Sequence, residues 1–137
     1  MNQIMNWLER QREVGLLIVR LAVGFILFWA GYAKVFLAGM AGVTENFRRI
    51  GIWLPEVAGP FISLLELVGG AALIVGLFTR YFGILFTIEF IVALLVVNLP
   101  RGFNAGRLDL MLIVAGVLFA THGAGRISLD AMLRRRS

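Results

Sequence analysis

Residues 14–38 read VGLLIVRLAVGFILFWAGYAKVFLA, and this stretch decides the fold. Its 25 residues contain only two charged side chains, Arg20 and Lys34. A membrane-spanning helix needs about 20 predominantly apolar residues, because the hydrocarbon layer is about 30 Å thick and a helix rises about 1.5 Å per residue. The stretch is therefore long enough and apolar enough to cross a membrane as one helix.

Three further apolar stretches follow it, so such segments take up most of the chain. The four predicted spans are 14–38, 57–78, 81–99 and 104–121. The chain is 60% hydrophobic and 15% charged, whereas an ordinary soluble domain has about 45–50% apolar and about 25% charged residues. Its 137 residues leave room for one domain. The sequence predicts an all-α fold, a four-transmembrane-helix bundle that forms a single integral membrane domain over residues 1–137.

The connections between the spans differ in length and pattern. Residues 44–47 (TENF) begin a short amphipathic pattern that Gly51 and Pro55 end, which predicts a short interfacial helix between the first two spans. Residues 78–80 (FTR) form a tight turn, so the second and third spans are expected to be an antiparallel hairpin. We expect a polar loop at 100–106 and a capped helical stub at 128–133.

The net charge of +5 is distributed unevenly between the two ends of the predicted spans. Seven arginines lie at the end that holds both termini and four at the other, and cytoplasmic loops of membrane proteins carry an excess of Lys and Arg. We therefore predict cytoplasmic termini and no nucleic-acid partner. The run at 134–136 is also suited to contact anionic lipid headgroups. The seven are Arg10, Arg12, Arg80, Arg126, Arg134, Arg135 and Arg136; the four are Arg48, Arg49, Arg101 and Arg107.

Apart from Arg107, which lies at the outer end of the fourth span and is counted above with the flanking arginines, five charged residues remain inside the predicted spans, where each is costly. Insertion scales assign about 2.5–3.5 kcal/mol to a charge at the centre of a membrane helix, so such side chains normally face the bundle interior and find partners. At about 100° per residue, the charges of three spans share a face with small residues, which let membrane helices approach closely. The faces are Arg20, Gly24, Leu27, Gly31 and Lys34; Gly59, Ser63, Glu66 and Gly70; and Asp109, Gly116 and Ala120; Glu89 is the fifth charge.

Depth in the membrane predicts which of these charges pair. Arg20, about 9 Å from the cytoplasmic side, is expected to reach Glu66 or Glu89 near mid-membrane. Lys34 and Asp109 both lie toward the opposite surface and are expected to form a structural ion pair. One Arg against two Glu leaves an excess of one negative charge, which a proton or a bound ligand would neutralise. Arg20, Glu66 and Glu89 are thus candidate ligand- or proton-binding residues; a purely structural Arg20–Glu66 pair stays open.

The residue types that the chain lacks exclude several kinds of chemistry. It contains no Cys, which excludes a disulfide framework, a thiolate metal site and an iron–sulfur cluster within this chain. Its one His, His122, cannot form a multi-His metal site or a bis-His haem site alone, and we expect no bound metal. Trp7, Trp29 and Trp53 are interpreted as membrane-interface or packing residues rather than as a quinone clamp.

The order of these features resembles the DoxX family. The resemblance rests on Arg20 and Lys34 in the first span, on residues 65–70 (LELVGG) and 76–80 (GLFTR), and on the closing residues 123–130 (GAGRISLD). It implies a four-helix protein of the bacterial inner (plasma) membrane. It also implies relatives described as the small membrane subunit of a thiosulfate:quinone oxidoreductase, and others described as anchors in oxidant-resistance complexes with superoxide dismutase and a sulfurtransferase.

The family pattern carries over to particular positions of this chain. Arg20, Lys34 and Glu66 match it, as does the motif at 126–130, in which Arg126, Ser128 and Asp130 lie at the predicted cytoplasmic end. Glu89 does not clearly belong to the pattern.

Three functions are compatible with these features. In the first, the bundle is a quinone-binding or quinone-adjacent subunit of a membrane redox or oxidative-stress complex, in which Arg20 and Glu66 hydrogen-bond a quinone carbonyl and handle its protons. In the second, it is a non-enzymatic anchor or assembly subunit that docks soluble or membrane redox partners. In the third, it is a small proton-linked transporter that uses Glu66 and Glu89. We expect no covalently bound cofactor and no catalysis by this chain alone, and a homo-oligomer stays open.

Overall fold

The computed structural model describes residues 2–136, and within that range it is helical with no strand. Two of its helices continue as π-helical segments: α2 through Ala33–Ala38, and α5 through Ala93–Asn98 and a 3-10 turn at Leu99–Arg101. The α-helices are α1 (Asn2–Arg10), α2 (Arg12–Tyr32), α3 (Met40–Arg49), α4 (Pro55–Val75), α5 (Thr79–Val92), α6 (Phe103–His122) and α7 (Leu129–Arg136).

Four helical stretches are long and apolar enough to cross a membrane: Arg12–Ala38, Pro55–Val75, Thr79–Arg101 and Phe103–His122. Each agrees with a predicted span to within three residues at either end. Large apolar side chains such as those of Ile18 and Phe25 point outward, which in a membrane places them against lipid. The predicted all-α fold with four spans is confirmed.

The four long helices form two closely packed antiparallel pairs, α2 with α4 and α5 with α6. A Cβ on Gly31 would lie 2.2 Å from the backbone nitrogen of Leu67. A Cβ on Gly83 would lie 2.6 Å from the backbone nitrogen of Ala120. Only glycine allows backbones to approach this closely, so small residues do face the neighbouring helices, as predicted.

Large apolar side chains fill the space between the two pairs. Leu73, Phe86 and Phe119 are almost fully buried. The ring of Phe86 packs along α5 against the tilted ring of Phe90, with 6.3 Å between the ring centroids, and lies directly against Gly69 of α4. The consecutive helices α4 and α5 are joined by a tight turn at residues 76–78, two residues earlier than the predicted 78–80, because α5 already begins at Thr79. They pack against each other less closely than either packs within its own pair.

Two of the predicted connections need correction. The helix between the first two spans exists, but it begins at Met40 and packs through Val43 against the start of α4. The polar loop expected at 100–106 is much shorter, because α6 already begins at Phe103. Gly102, with φ of 109°, reverses the chain in a single residue, a conformation that favours glycine. The predicted stub at 128–133 is confirmed as α7.

Candidate functional site

A cavity of about 480 Å³ opens in the half of the bundle that contains α3. Small-molecule sites are typically clefts of about 300–1,000 Å³ with apolar walls and a few convergent polar groups. This cavity has both features. Its apolar walls include Phe47, Ile50, Phe61, Leu65, Ile88 and Phe90, and its polar groups are Lys34, Asn46, Glu66, Glu89, Asn98 and Asp109.

Lys34 and Glu66 form the central ion pair of the cavity. The Lys34 ammonium donates to both oxygens of Glu66, with Nζ at 2.7 Å from Oε1 and 2.9 Å from Oε2. The Glu66 side chain is only 3% exposed and that of Lys34 is 29% exposed. A buried carboxylate in a membrane protein requires such a partner. Lys34 provides it from the π-helical continuation of α2, the helix that is paired with α4.

This geometry corrects the predicted pair of Lys34 with Asp109. The close contact of Gly31 with Leu67 fixes the register of α2 against α4. Lys34 follows Gly31 by about one helical turn, and Glu66 directly precedes Leu67, so the two side chains meet. The ends of the spans predict how deep a residue lies in the membrane, but they do not predict how α2 and α4 are aligned along each other. That alignment depends on where the glycine-bearing surfaces of the two helices fit together.

Glu89 of α5 brings a second carboxyl group into contact with Glu66. Its Oε1 atom is fully buried and has no hydrogen-bond partner among residues 2–136. Lys34 and Asp109 act electrostatically on both glutamates. One ammonium group cannot neutralise two glutamates, so the excess negative charge predicted for Arg20 and two glutamates recurs here around Lys34, and Asp109 adds a third carboxyl group. A proton or the hydrogen-bond donor of a ligand would complete the cluster.

Asn98 is a site residue that sequence reasoning missed. Its Nδ2 donates to Oδ2 of Asp109, so Asp109 has an amide partner instead of Lys34. The available signal was a lone amide in the otherwise apolar end of the third span. Asn98 ends one π-helical segment and Lys34 lies in the other. π-helical turns occur frequently at functional sites, because the extra residue re-aims side chains.

The helix α3 forms one wall of the cavity through Phe47. It is attached to the first turn of α4 by Arg48, whose guanidinium donates to Glu56 and, at 2.7 Å, to Glu45. The carboxylates of Glu56 and Glu45 raise the pKa of Arg48. All three side chains are exposed, so salt will screen this attachment far more than the buried pair of Lys34 and Glu66.

Arg20 lies outside the cavity, and its predicted pairing with Glu66 or Glu89 is wrong. It is 14 residues, or about 21 Å, from Lys34 along the same helix. Its guanidinium donates to the carbonyl oxygen of Ala124 at 2.6 Å and to that of Ile74 at 3.5 Å. The helix α2 extends beyond the end of α4, so Arg20 is level with the last turn of α4 and meets backbone carbonyls there.

The motif at 126–130 ties the same end of the bundle together. The carboxylate of Asp130 accepts hydrogen bonds from the backbone N–H groups of Phe78, at 2.7 Å, and Thr79, at 2.9 Å. These are donors at the N-terminus of α5 that no helical carbonyl can satisfy. The backbone N–H of Asp130 in turn donates to the carbonyl oxygen of Gly76. Asp130 therefore caps α5 and attaches α7 to the turn between α4 and α5.

Ser128 and Arg126 complete this attachment. Ser128 Oγ accepts from the backbone N–H of Ala131 at 3.1 Å, which caps α7. The backbone N–H of Arg126 donates to Oε2 of Glu13 at 2.9 Å, which joins the motif to α2. Gly125, with φ of 89°, allows the bend between these contacts. The contacts of Ser128 and Asp130 are structural, while the Arg126 side chain is exposed.

The remaining residues singled out in the sequence lie outside the cavity. Trp7, Trp29 and Trp53 are exposed, which agrees with an interface or packing role, and none of them lines the cavity. His122 ends α6 at the Arg20 end of the bundle. Among residues 2–136, no three His, Asp or Glu side chains are arranged to hold a metal ion.

Comparison with known proteins agrees with the fold. The family model described as DoxX matches residues 15–99. The chain is 32% identical over 124 residues to "Putative oxidoreductase CatD" of Bacillus subtilis, covering 90% of each chain. It is 29% identical over 134 residues to the inner membrane protein YqjF of Escherichia coli, covering 94% of this chain and 99% of the other. It is 27% identical over 144 residues to the uncharacterized membrane protein Rv3486 of Mycobacterium tuberculosis, covering 95% and 88%. No solved structure matched significantly. The chain is a membrane protein that belongs to the DoxX family.

Proposed function

We propose that this protein is a quinone-binding membrane subunit of a redox or oxidative-stress complex, and that the quinone ring enters the cavity between α3, α4 and α5. The observation that carries the proposal is an apolar cavity of about 480 Å³ inside a membrane bundle, at which one cation, two amides and three carboxyl groups converge. An apolar ring with polar oxygens at opposite edges suits such a lining.

The donors and acceptors of the cavity fit a quinone in both of its stable forms. Lys34 Nζ and Asn98 Nδ2 are donors, which the carbonyl oxygens of an oxidised ring require. The buried and unpartnered Oε1 of Glu89 is an acceptor for the hydroxyl of a reduced ring. Arg20, which the sequence suggested for this role, is replaced by Lys34.

A bound quinone would supply two-electron, two-proton redox chemistry, and the electrons would come from a partner protein. The residues of this chain would orient the ring and exchange its protons. Glu89 and Glu66 are suited to that exchange, because their contact leaves room for one proton between two carboxyl groups and a single ammonium group. The relative from Bacillus subtilis is named "Putative oxidoreductase CatD", which supports a redox role. The relative YqjF, called an inner membrane protein, supports placement in the bacterial inner membrane.

The competing role is a non-catalytic anchor, and one observation favours it: the Lys34–Glu66 pair already satisfies both of its members. A transporter is less well supported, because Leu27, Leu73 and Phe86 fill the bundle between the carboxyl cluster and the Arg20 end.

The test is to fill the cavity without changing its charges. Ala93 lines the cavity, whereas Ala22 of α2 is exposed on the outside. We expect wild-type protein in lipid nanodiscs to bind ubiquinone-1 or menadione saturably. Ala93→Phe should weaken that binding at least tenfold with little change in melting temperature, and the matched control Ala22→Phe should bind like wild type.

A second variant tests the polar contacts. Lys34→Met keeps the length of the side chain and removes the donor, so it should also weaken binding at least tenfold. Equal binding by wild type and Ala93→Phe, or no saturable binding at all, would refute the quinone site and leave the anchor role.

A further inference from the structure

Five arginines line two adjoining pockets at the end of the bundle opposite the cavity. The first pocket has a volume of about 650 Å³ and the second of about 560 Å³. They share Glu13, His122 and Arg126. We refer to both together as the arginine pocket; its arginines are Arg10 and Arg12 in the first part, Arg126 in both, and Arg134 and Arg135 in the second.

The arginine pocket has an excess of positive charge. Among residues 2–136, its lining contains five arginines and the carboxylates of Glu9 and Glu13, a formal charge of +3 with His122 neutral. Glu13 is already engaged, because its Oε2 accepts a hydrogen bond from the backbone N–H of Arg126. Within residues 2–136, the guanidinium groups of Arg10, Arg12 and Arg126 make no hydrogen bond or ion pair.

The pocket is built by the first helices of the chain and by its C-terminal part, which are distant in sequence. The polar face of α1 contributes Asn6, Glu9 and Arg10, and the start of α2 contributes Arg12 and Glu13. The loop before α7 and α7 itself contribute the other arginines. Since the fold brings these distant segments to one place, the cluster is a feature of the tertiary structure and not of the terminal arginine run alone.

Apolar side chains flank the arginine pocket. The helix α1 is amphipathic, and its other face exposes Ile4 (64%), Met5 and Leu8. On α7, Met132 and Leu133 are also exposed. An amphipathic helix of this kind lies in the membrane interface with its apolar face toward the acyl chains. The arginine pocket is therefore expected at the depth of the lipid headgroups.

We propose that the arginine pocket binds the phosphate groups of an anionic phospholipid. Guanidinium groups match phosphate oxygens in charge and geometry, and basic pockets at membrane surfaces bind phospholipid headgroups. Two adjoining compartments, each of several hundred Å³, suit a lipid with two phosphates such as cardiolipin, whose chains would extend along the apolar side chains beside the pocket. This inference is independent of the quinone proposal, because the two sites lie at opposite ends of the bundle.

The test compares lipid binding by two double variants of the full chain. Arg12→Gln with Arg126→Gln removes two guanidinium groups that have no partner in the structure, so the fold should be unaffected. Arg101→Gln with Arg107→Gln makes the same charge change at the other end of the bundle. Native mass spectrometry in mild detergent would measure retention of cardiolipin, phosphatidylglycerol and phosphatidylcholine, and melting temperature would measure protection by each lipid.

We expect wild type and the Arg101/Arg107 variant to retain cardiolipin at least tenfold better than phosphatidylcholine, and the Arg12/Arg126 variant to lose that preference. High salt should weaken the preference in wild type. Equal retention of cardiolipin and phosphatidylcholine by wild type, or equal loss in both variants, would overturn the proposal. Stabilisation by inorganic phosphate alone that depends on Arg12 and Arg126, without any preference for cardiolipin, would assign the site to soluble phosphate compounds and overturn the lipid.

Discussion

Replacing Gly31 by alanine should separate the two helices that carry the Lys34–Glu66 pair. A Cβ at Gly31 would lie 2.2 Å from the backbone nitrogen of Leu67 and 2.6 Å from its Cα. Ordinary van der Waals contact begins at about 3.4 Å. The neighbouring atoms belong to the backbone, which cannot rotate away as a side chain would. The helices α2 and α4 must therefore move apart locally by about 1.2 Å, the difference between 3.4 and 2.2 Å.

The expected loss of stability follows from this displacement. Forcing an extra methyl group into a closely packed core typically costs about 1–3 kcal/mol. Alanine is the better helix former by about 0.8–1.0 kcal/mol, which offsets part of that loss. The displacement also reaches the site: an increase of about 1 Å in the 2.7 Å distance from Lys34 Nζ to Glu66 Oε1 would take it beyond hydrogen-bond range. Ligand binding in the cavity should therefore weaken together with stability.

Gly15 provides the matched control on the same helix. A Cβ at Gly15 would meet no atom within 4 Å, so Gly15→Ala keeps the helix propensity gain without the clash. Thermal unfolding in one detergent should give a melting temperature several degrees below wild type for Gly31→Ala, and one equal to or slightly above wild type for Gly15→Ala. If Gly31→Ala has the same melting temperature as wild type, the close contact between α2 and α4 that sets the register of the site is not present.

Four further outcomes are expected. The destabilisation caused by Glu66→Gln combined with Glu89→Gln should differ from the sum of the two single effects by about 0.5–3 kcal/mol, because both carboxyl groups interact with one ammonium group. Additive melting data would show that the two carboxyl groups do not share it. Asp130→Ala should cost about 1 kcal/mol and speed amide exchange at the start of α5, which unchanged exchange there would contradict. Arg20→Met should lower the melting temperature yet leave ubiquinone-1 affinity unchanged. A loss of affinity as large as that of Lys34→Met would show that Arg20 takes part in the site. An alkaline phosphatase fused after the last residue should be inactive, since both termini are predicted to be cytoplasmic; activity would reverse the orientation.

The spans and their buried faces were predictable because lipid requires apolar side chains and satisfied backbone hydrogen bonds along the whole length of a span. In a membrane only helices and closed β-barrels satisfy every backbone group, so long apolar stretches predict helices, and small residues let such helices pack closely. Gly24, Gly31 and Gly70 therefore marked the packing surfaces of α2 and α4 before any contact was known, and the structure buries all three.

The partners of the buried charges were not predictable in the same way. They depend on the register between helices, which Gly31 and Leu67 set by direct contact and which no local pattern reveals. A shift of a few residues moves Arg20 from mid-membrane carboxylates to the carbonyl groups of Ile74 and Ala124. Span boundaries uncertain by 2–4 residues cannot resolve such a shift.

The cavity is also a property of the assembled fold. Phe47, Phe61 and Ile88 come from three helices, and each reads in the sequence as an ordinary apolar residue. The two π-helical segments that carry Lys34 and Asn98 contain no Pro or Gly from which they could have been predicted. By contrast, the motif at 126–130 was recognisable as a pattern, but its structural contacts with the start of α5 required the tertiary structure.

Photoaffinity labelling with an azido derivative of ubiquinone-1, followed by peptide mapping, tests the central claim most directly. The proposed site predicts labels on cavity residues such as Phe47, Leu65 and Phe90, with unlabelled ubiquinone-1 competing for them and Ala93→Phe abolishing them. Labels spread evenly over outward-facing positions such as Phe25, or cavity labels that persist in Ala93→Phe, would contradict the proposal that the ring occupies the cavity.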